Sequence, residues 1–181
     1  MAKTGQIIDL GASGVKITIT TTAHDTNGKM AQMESRMQPA KRLPTLAHIH
    51  PSQEERIEVI SGKLTTLLNG KIKILSTGES IIIQPGELHN FWNQGNEVVH
   101  FRVEHRPALN IQDFMETIGG LVKDGMIRYD NSFSDKLQMA VVVNRFSETM
   151  ILPIPQRFVI KLIGTMGELL GKGKSLSKYI S

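Results

Sequence analysis

The chain has 181 residues, a formal net charge of +4, 40% apolar and 21% charged residues, 7 prolines and no cysteine. This balance is that of a folded globular protein of one domain with at most an appendage, and it excludes a disordered or collagen-like chain and, since no run approaches the roughly 18 consecutive apolar residues of a membrane span, a transmembrane helix. The absence of cysteine excludes disulfides and thiolate ligands, so any metal must be held by histidine and carboxylate, and the opening MAKTGQIIDLGASG lacks the apolar core of a secretory signal, which points to the cytoplasm.

Up to about residue 107 the apolar pattern has period two, interrupted by turn signals, as in a series of short antiparallel strands. Val15, Ile17 and Ile19 alternate with polar residues, a turn centred on Asn27-Gly28 follows, and Met33 to Met37 resume the alternation. Leu64 to Asn69 and Lys71 to Leu75 flank Asn69-Gly70, a pair that accepts the positive φ of a tight hairpin. Ile81 to Ile83, Phe91 to Asn93 and Val98 to His105 complete a set whose number and spacing predict a sandwich or closed barrel.

After Pro107 the period becomes helical. Asn110 is placed to cap a helix with the apolar side Ile111, Phe114, Met115, Ile118, Leu121 and Val122, stopping at Asp124-Gly125. Ser134 is read as the cap of a second helix carrying Leu137, Ala140, Val141 and Val143, and Pro155 as the first turn of a third that runs to about Leu170. Residues 1–107 therefore form a β unit and 108–181 a helical extension packed on it, with a frayed basic tail from about residue 171.

The charge is concentrated in that tail. From Pro153 onward Arg157, Lys161, Lys172, Lys174 and Lys178 stand against Glu168 alone, which accounts for the whole of the +4. A neutral body with a basic end, without an aromatic-interleaved basic face, is not the footprint of a nucleic-acid binder.

The segment HIHPSQEERIEVISG places His48 and His50 two apart, so that their imidazoles emerge on one face of a strand and can share one ion. A turn at Pro51-Ser52 brings the carboxylate of Glu55 toward the same point, with Glu54 as its competitor. In GESIIIQPGELHNFWN, His89 follows the Pro85-Gly86 turn at the head of another strand. Three histidines and one carboxylate make a nitrogen and oxygen site for a divalent first-row metal.

These two segments resemble the two motifs of the cupin superfamily. His48, His50, Glu55 and Gly62 fit the spacing of the first, and Gly78, Gly86, His89 and Asn93 that of the second, with Gln84 standing where the family has proline. The six residues between Glu55 and Gly62 select Glu55 over Glu54. The fifteen residues between Gly62 and Gly78 are similar to the short inter-motif loop of small single-domain bacterial cupins. Over roughly residues 40 to 105 the resemblance implies a mainly β fold, a cupin-type antiparallel barrel (a double-stranded β-helix or jelly roll) followed here by about three C-terminal helices. It further implies one divalent metal ion (iron, manganese, nickel, copper or zinc) held by His48, His50, Glu55 and His89. Glu55 is also the candidate catalytic base, and a homodimer formed through the sheets is implied. The activity so implied is that of a metal-dependent, dioxygenase-like oxidoreductase on a small organic molecule. Isomerases and lyases share the barrel, and a binding or sensing module that signals through its helices is the alternative from another class.

Phe91 shares a strand face with His89, and Met33 and Met37 share a face of an earlier strand, so these three are candidates for an apolar substrate pocket. Trp92 points opposite to Phe91. His100, Arg102 and Glu104 share one face of the last strand; His100 and Arg102 are candidates to orient an anionic substrate, against a salt-bridged outer face as the commoner role. His24 and His105 fall outside every pattern. On the third helix Val159, Leu162, Ile163, Met166, Leu169 and Leu170 form an apolar stripe opposite Arg157, Lys161 and Glu168, which predicts burial against the rest of the fold, with membrane-surface contact as the lesser reading and a lid over the barrel mouth as a further role.

Overall fold

The computed structural model describes residues 2–39 and 46–179. Residues 40–45, where the resemblance to the first motif begins, and 180–181, the end of the basic tail, lie outside the described residues.

Among the described residues, nine antiparallel strands form two sheets. They are β1 (Ile7–Asp9), β2 (Val15–Thr21), β3 (Ala31–Met37), β4 (Glu54–Ser61), β5 (Lys63–Leu68), β6 (Lys71–Ser76), β7 (Ser80–Ile83), β8 (His89–Trp92) and β9 (Val99–Arg106). The larger sheet has the order β1-β2-β3-β9-β4-β7 and the smaller β6-β5-β8. Neighbours such as β3 with β9 and β5 with β8 are distant in sequence, as the crossovers of a jelly-roll barrel require. Each inner face follows from the alternation. Val15, Ile17 and Ile19 of β2, Met33 and Met37 of β3, Ile57 and Val59 of β4, and Val99, Phe101 and Val103 of β9 are buried together with Leu64 and Leu75 of the smaller sheet. The β5–β6 hairpin turns at Asn69 and Gly70 with φ of 48° and 81°, the left-handed pair its sequence predicts.

Two motif residues outside the ligand set are structural. Gly62 has φ of 88°, and a Cβ there would meet the Val98 carbonyl oxygen at 3.1 Å, so the β4–β5 corner excludes a side chain. Buried Asn93 donates from Nδ2 to the carbonyls of Met37 (2.9 Å) and Glu97 (2.7 Å), tying the end of β8 to β3 and the approach to β9.

Helix α1 (Ile111–Lys123) lays Ile111, Phe114, Ile118 and Leu121 on the open edge of the barrel near β1. Buried Gln53 pins the junction, donating to the carbonyls of Pro107 (3.0 Å) and Ala108 (2.9 Å). Helix α2 (Phe133–Arg145) and helix α3 (Gln156–Leu169) pack as a pair.

Three readings from the sequence are corrected. Ser132, not Ser134, caps α2: its backbone is extended and its Oγ accepts from the Asp135 amide at 3.2 Å, two residues upstream of the expected position. The basic tail is not frayed over its described length. Gly171 turns the chain with φ of 79° into a 3-10 helix at Lys172–Lys178, Leu176 is buried, and Lys178 and Tyr179 both donate to Asp124. Finally, α3 does not bury its apolar stripe. Its buried residues are Gly164 and Gly167: a Cβ on the first would lie 2.7 Å from the Ala140 carbonyl oxygen, and on the second 2.4 Å from Val141 Cγ2. The glycines let α3 approach α2 closely, and that choice of contact face turns the stripe outward except for Ile163, which is half-buried.

Candidate metal centre

The chain segment before β4 bridges two elements at once. His48 pairs backbone to backbone with His89 at the head of β8, and the adjacent Ile49 pairs with Ile151, which lies between α2 and α3. His50 follows, and a bend at residues 51–52 brings the chain into β4, whose inward residue is Glu55. Glu54 points outward, where its carboxylate accepts from Gln84 at 3.3 Å. His48, His50, Glu55 and His89 thus meet inside the barrel, each 7% exposed or less.

The hydrogen bonds of the three imidazoles fix their chemistry. Nδ1 of His48 lies 3.0 Å from the Leu46 carbonyl oxygen, Nδ1 of His50 2.6 Å from that of Thr149, and Nδ1 of His89 3.0 Å from that of Glu87. A carbonyl oxygen only accepts, so each Nδ1 carries a proton and each Nε2 is turned to the interior, where it offers a lone pair to an ion whenever the ring is neutral. This is the outer-shell arrangement that orients metal-ligating histidines. Ligand atoms of His48, His50 and His89 lie within 4.8 Å of one another, as do those of His50, Glu55 and His105. Nε2 of His50 is buried without a hydrogen-bond partner, and Nε2 of His89 and Oε2 of Glu55, 2.8 Å apart, have no partner beyond each other. Orphaned polar atoms of this kind are rare in a folded interior. Three imidazole lone pairs and a carboxylate converging there fit a divalent first-row cation.

His105 completes the cluster and was not singled out by its sequence. It is 2% exposed, and its Nε2 lies 3.5 Å from Oε1 of Glu55. The available signal was the alternation of β9, since Phe101, Val103 and His105 share the inward face and a histidine closing an apolar face has to answer to something polar inside. Unlike the other three rings, its Nδ1 has no hydrogen-bond partner.

Charge state follows from burial and from mutual contact. Burial pushes His48 down to about 3, with His89 and His50 adding to the shift, and pushes His105 down to about 4. Burial likewise lowers His50. Glu55 is pushed up by burial, but the neighbouring His89, His105 and His50 outweigh this and hold its carboxyl well below the usual carboxylate range. His89 is pushed down by burial and up by Glu55, 2.8 Å away, and the carboxylate prevails. The metal-free site is therefore a carboxylate facing His89 as its counter-charge, with neutral imidazoles around it.

The pocket candidates separate. Met33 and Met37 are packed in the core, and Phe91 is half-buried with its ring 5.5 Å from that of Phe101. His100 and Arg102 are on the outer face of β9, turned away from the histidines by strand alternation; both bind Glu34, at 2.9 and 3.0 Å, so they do not orient a ligand at this site. Trp92 alternates with Phe91 and is partly exposed. Among the described residues no helix is long and apolar enough to cross a membrane.

A small antiparallel barrel with a buried centre of histidines and one glutamate is the class that fold and site define. Residues 33–105 match the family model described as the Cupin domain, and the chain carries a domain of the cupin superfamily in which all five clustered side chains lie. An RmlC-like cupin from Shewanella frigidimarina superposes with a TM-score of 0.51 at 18% identity, over 60% of this chain and 88% of its own. A predicted oxalate decarboxylase from Thermotoga maritima gives 0.48 at 19% identity, over 56% of this chain and 90% of its own. The polyketide cyclase RemF from Streptomyces resistomycificus gives 0.46 at 24%, over 53% and 67%. These likenesses are of fold. No protein of curated function matches the sequence.

Proposed function

We propose that this chain is a metal-dependent cupin enzyme acting on a small organic molecule, with dioxygenase-like oxidoreductase chemistry. His48, His50, His89 and Glu55 would hold the ion. The observation that carries the reading is the set of three Nδ1-to-carbonyl hydrogen bonds, which leaves three Nε2 lone pairs converging beside a buried carboxylate. Four protein ligands on an ion that takes six leave positions for substrate or dioxygen. A bound divalent ion supplies Lewis-acid polarisation or, for a redox-active metal, oxygen activation.

The remaining work falls to the chain. Glu55 would balance the charge of the ion in a dry interior, and it would serve as a base only on leaving the ion and the imidazoles that hold its carboxyl low. His105, beside Oε1, restrains that carboxylate without being anchored as the other three rings are. Burial excludes bulk water from both groups. Dioxygen uptake by the metal-loaded chain across a set of phenols and diketones tests the reading, with turnover expected for at least one class and lost in Glu55→Gln.

A second reading, a metal-holding sensing module, is favoured by one observation. The carbonyl that orients His50 belongs to Thr149, in the connection between α2 and α3. A change at His50 is thereby felt by the helical extension. No turnover across the panel, together with metal-dependent protection of the α2–α3 connection from protease, would select this reading over the enzyme.

A further inference from the structure

Helix α3 carries an apolar arc left uncovered among the described residues. Phe158, Val159, Leu162, Met166, Leu169 and Leu170 are all exposed, Leu162 by 74% and Leu169 by 85%. The contact with α2 runs through Gly164 and Gly167 on the other side of the helix, so the arc faces away from the body of the protein. With adjoining Ile154 the patch is on the order of 800 Å², above the roughly 300–600 Å² of the largest patch on a typical monomer and about one partner's share of a standard interface.

The pattern of the arc says what covers it. Its positions are symmetric about residue 164: Phe158 mirrors Leu170, Val159 mirrors Leu169, and Leu162 mirrors Met166. The apolar spacing is therefore the same read in either direction. In a two-fold antiparallel pair centred on residue 164 each residue faces its mirror position on the partner, so this symmetry sets apolar against apolar along the whole arc. A lipid surface makes no such demand. The charges agree. Arg157 and Lys161, near the start of α3, share a flank with Glu168 near its end. Antiparallel pairing lays Lys161 beside the partner's Glu168 and sets Arg157 near the carbonyl end of the facing helix, both favourable. Lys178 is already ion-paired with Asp124, which further reduces the cationic face a membrane would read.

We propose that the chain forms a two-fold dimer through α3, the two α3 helices antiparallel and flanked by the two α2 helices in a four-helix layer. The proposal is independent of the metal site. Sedimentation equilibrium of the full chain over roughly 1 to 100 μM should show a dimer. The pair Leu162→Glu, Leu169→Glu should raise its dissociation constant at least about 100-fold while leaving the circular dichroism of the monomer unchanged, since both side chains already face water. Lys161→Glu and Glu168→Lys should each weaken the dimer, and their combination should restore it. A wild-type monomer throughout that range would overturn the proposal, as would a dimer indifferent to the leucine substitutions. Binding of a monomeric chain to phosphatidylglycerol vesicles through the same leucines would overturn it too, by assigning the arc to lipid.

Discussion

Metal-free protein should lose stability as the pH falls from 6.5 to 5, and the buried imidazoles set how much. His48 and His105 titrate at about 3 and about 4 in the folded chain against an ordinary value of 6.5. In this window the unfolded chain takes up a proton at each position that the folded chain refuses. Stability then falls toward a limiting slope of about 2.7 kcal/mol per pH unit for two groups, and the loss between pH 6.5 and 5 is about 3 kcal/mol. His50, lowered as well, acts in the same direction. The other two groups do not offset this. His89 is raised, so its contribution is complete below 6.5 and is lost only at higher pH; Glu55 is depressed, so its contribution persists until the pH falls through its folded value, below the window. A loss of about 3 kcal/mol is a large share of the 5–15 kcal/mol of a typical domain. Urea unfolding of chelator-treated protein at the two pH values measures it, and His105→Gln should remove about half of the difference. An unfolding free energy constant to within about 1 kcal/mol across the window would refute the neutral, buried state of these rings.

Further outcomes follow from single contacts. Glu55→Gln should lower the titration midpoint of His89, seen by NMR of the imidazole protons, because Glu55 is the group that raises it. Asn110→Ala removes the acceptor of the Thr149 hydroxyl and loosens the connection whose carbonyl orients His50; the metal dissociation constant, measured by competition with a chelating dye, should rise about 10-fold. Gly167→Leu inserts a side chain where Val141 Cγ2 already stands and should destabilise by about 1–3 kcal/mol, read as a lowered Tm.

The barrel was legible because its signals are local. Period-two alternation marked β2, β3 and β9 as strands, Asn69-Gly70 gave the hairpin, and the histidine spacings marked the residues that the structure brings together. What stayed hidden was relational. Thr149 reaches His50 across 99 positions through a main-chain carbonyl, which no side-chain pattern encodes. His105 was masked by reading the outer face of β9 for chemistry and the inner face as apolar. On α3 the stripe was visible but its direction was not, since amphipathicity locates an apolar face without saying what it packs on. The contact belonged to two glycines, whose contribution is the space they leave. His100 and Arg102 show the converse, an arrangement with the look of a binding pair that is satisfied by Glu34 on the outer surface.

The most direct test of the metal centre is elemental analysis of purified protein, after dialysis against divalent first-row ions and then buffer, beside a His48→Ala, His89→Ala variant shown by circular dichroism to be folded. About one ion per chain in the wild type and almost none in the variant is the predicted result, since the variant keeps only His50 and Glu55 of the four ligands. A wild type that neither carries nor takes up an ion, or a variant that retains a full complement, would contradict the assignment of His48, His50, Glu55 and His89 as one metal site.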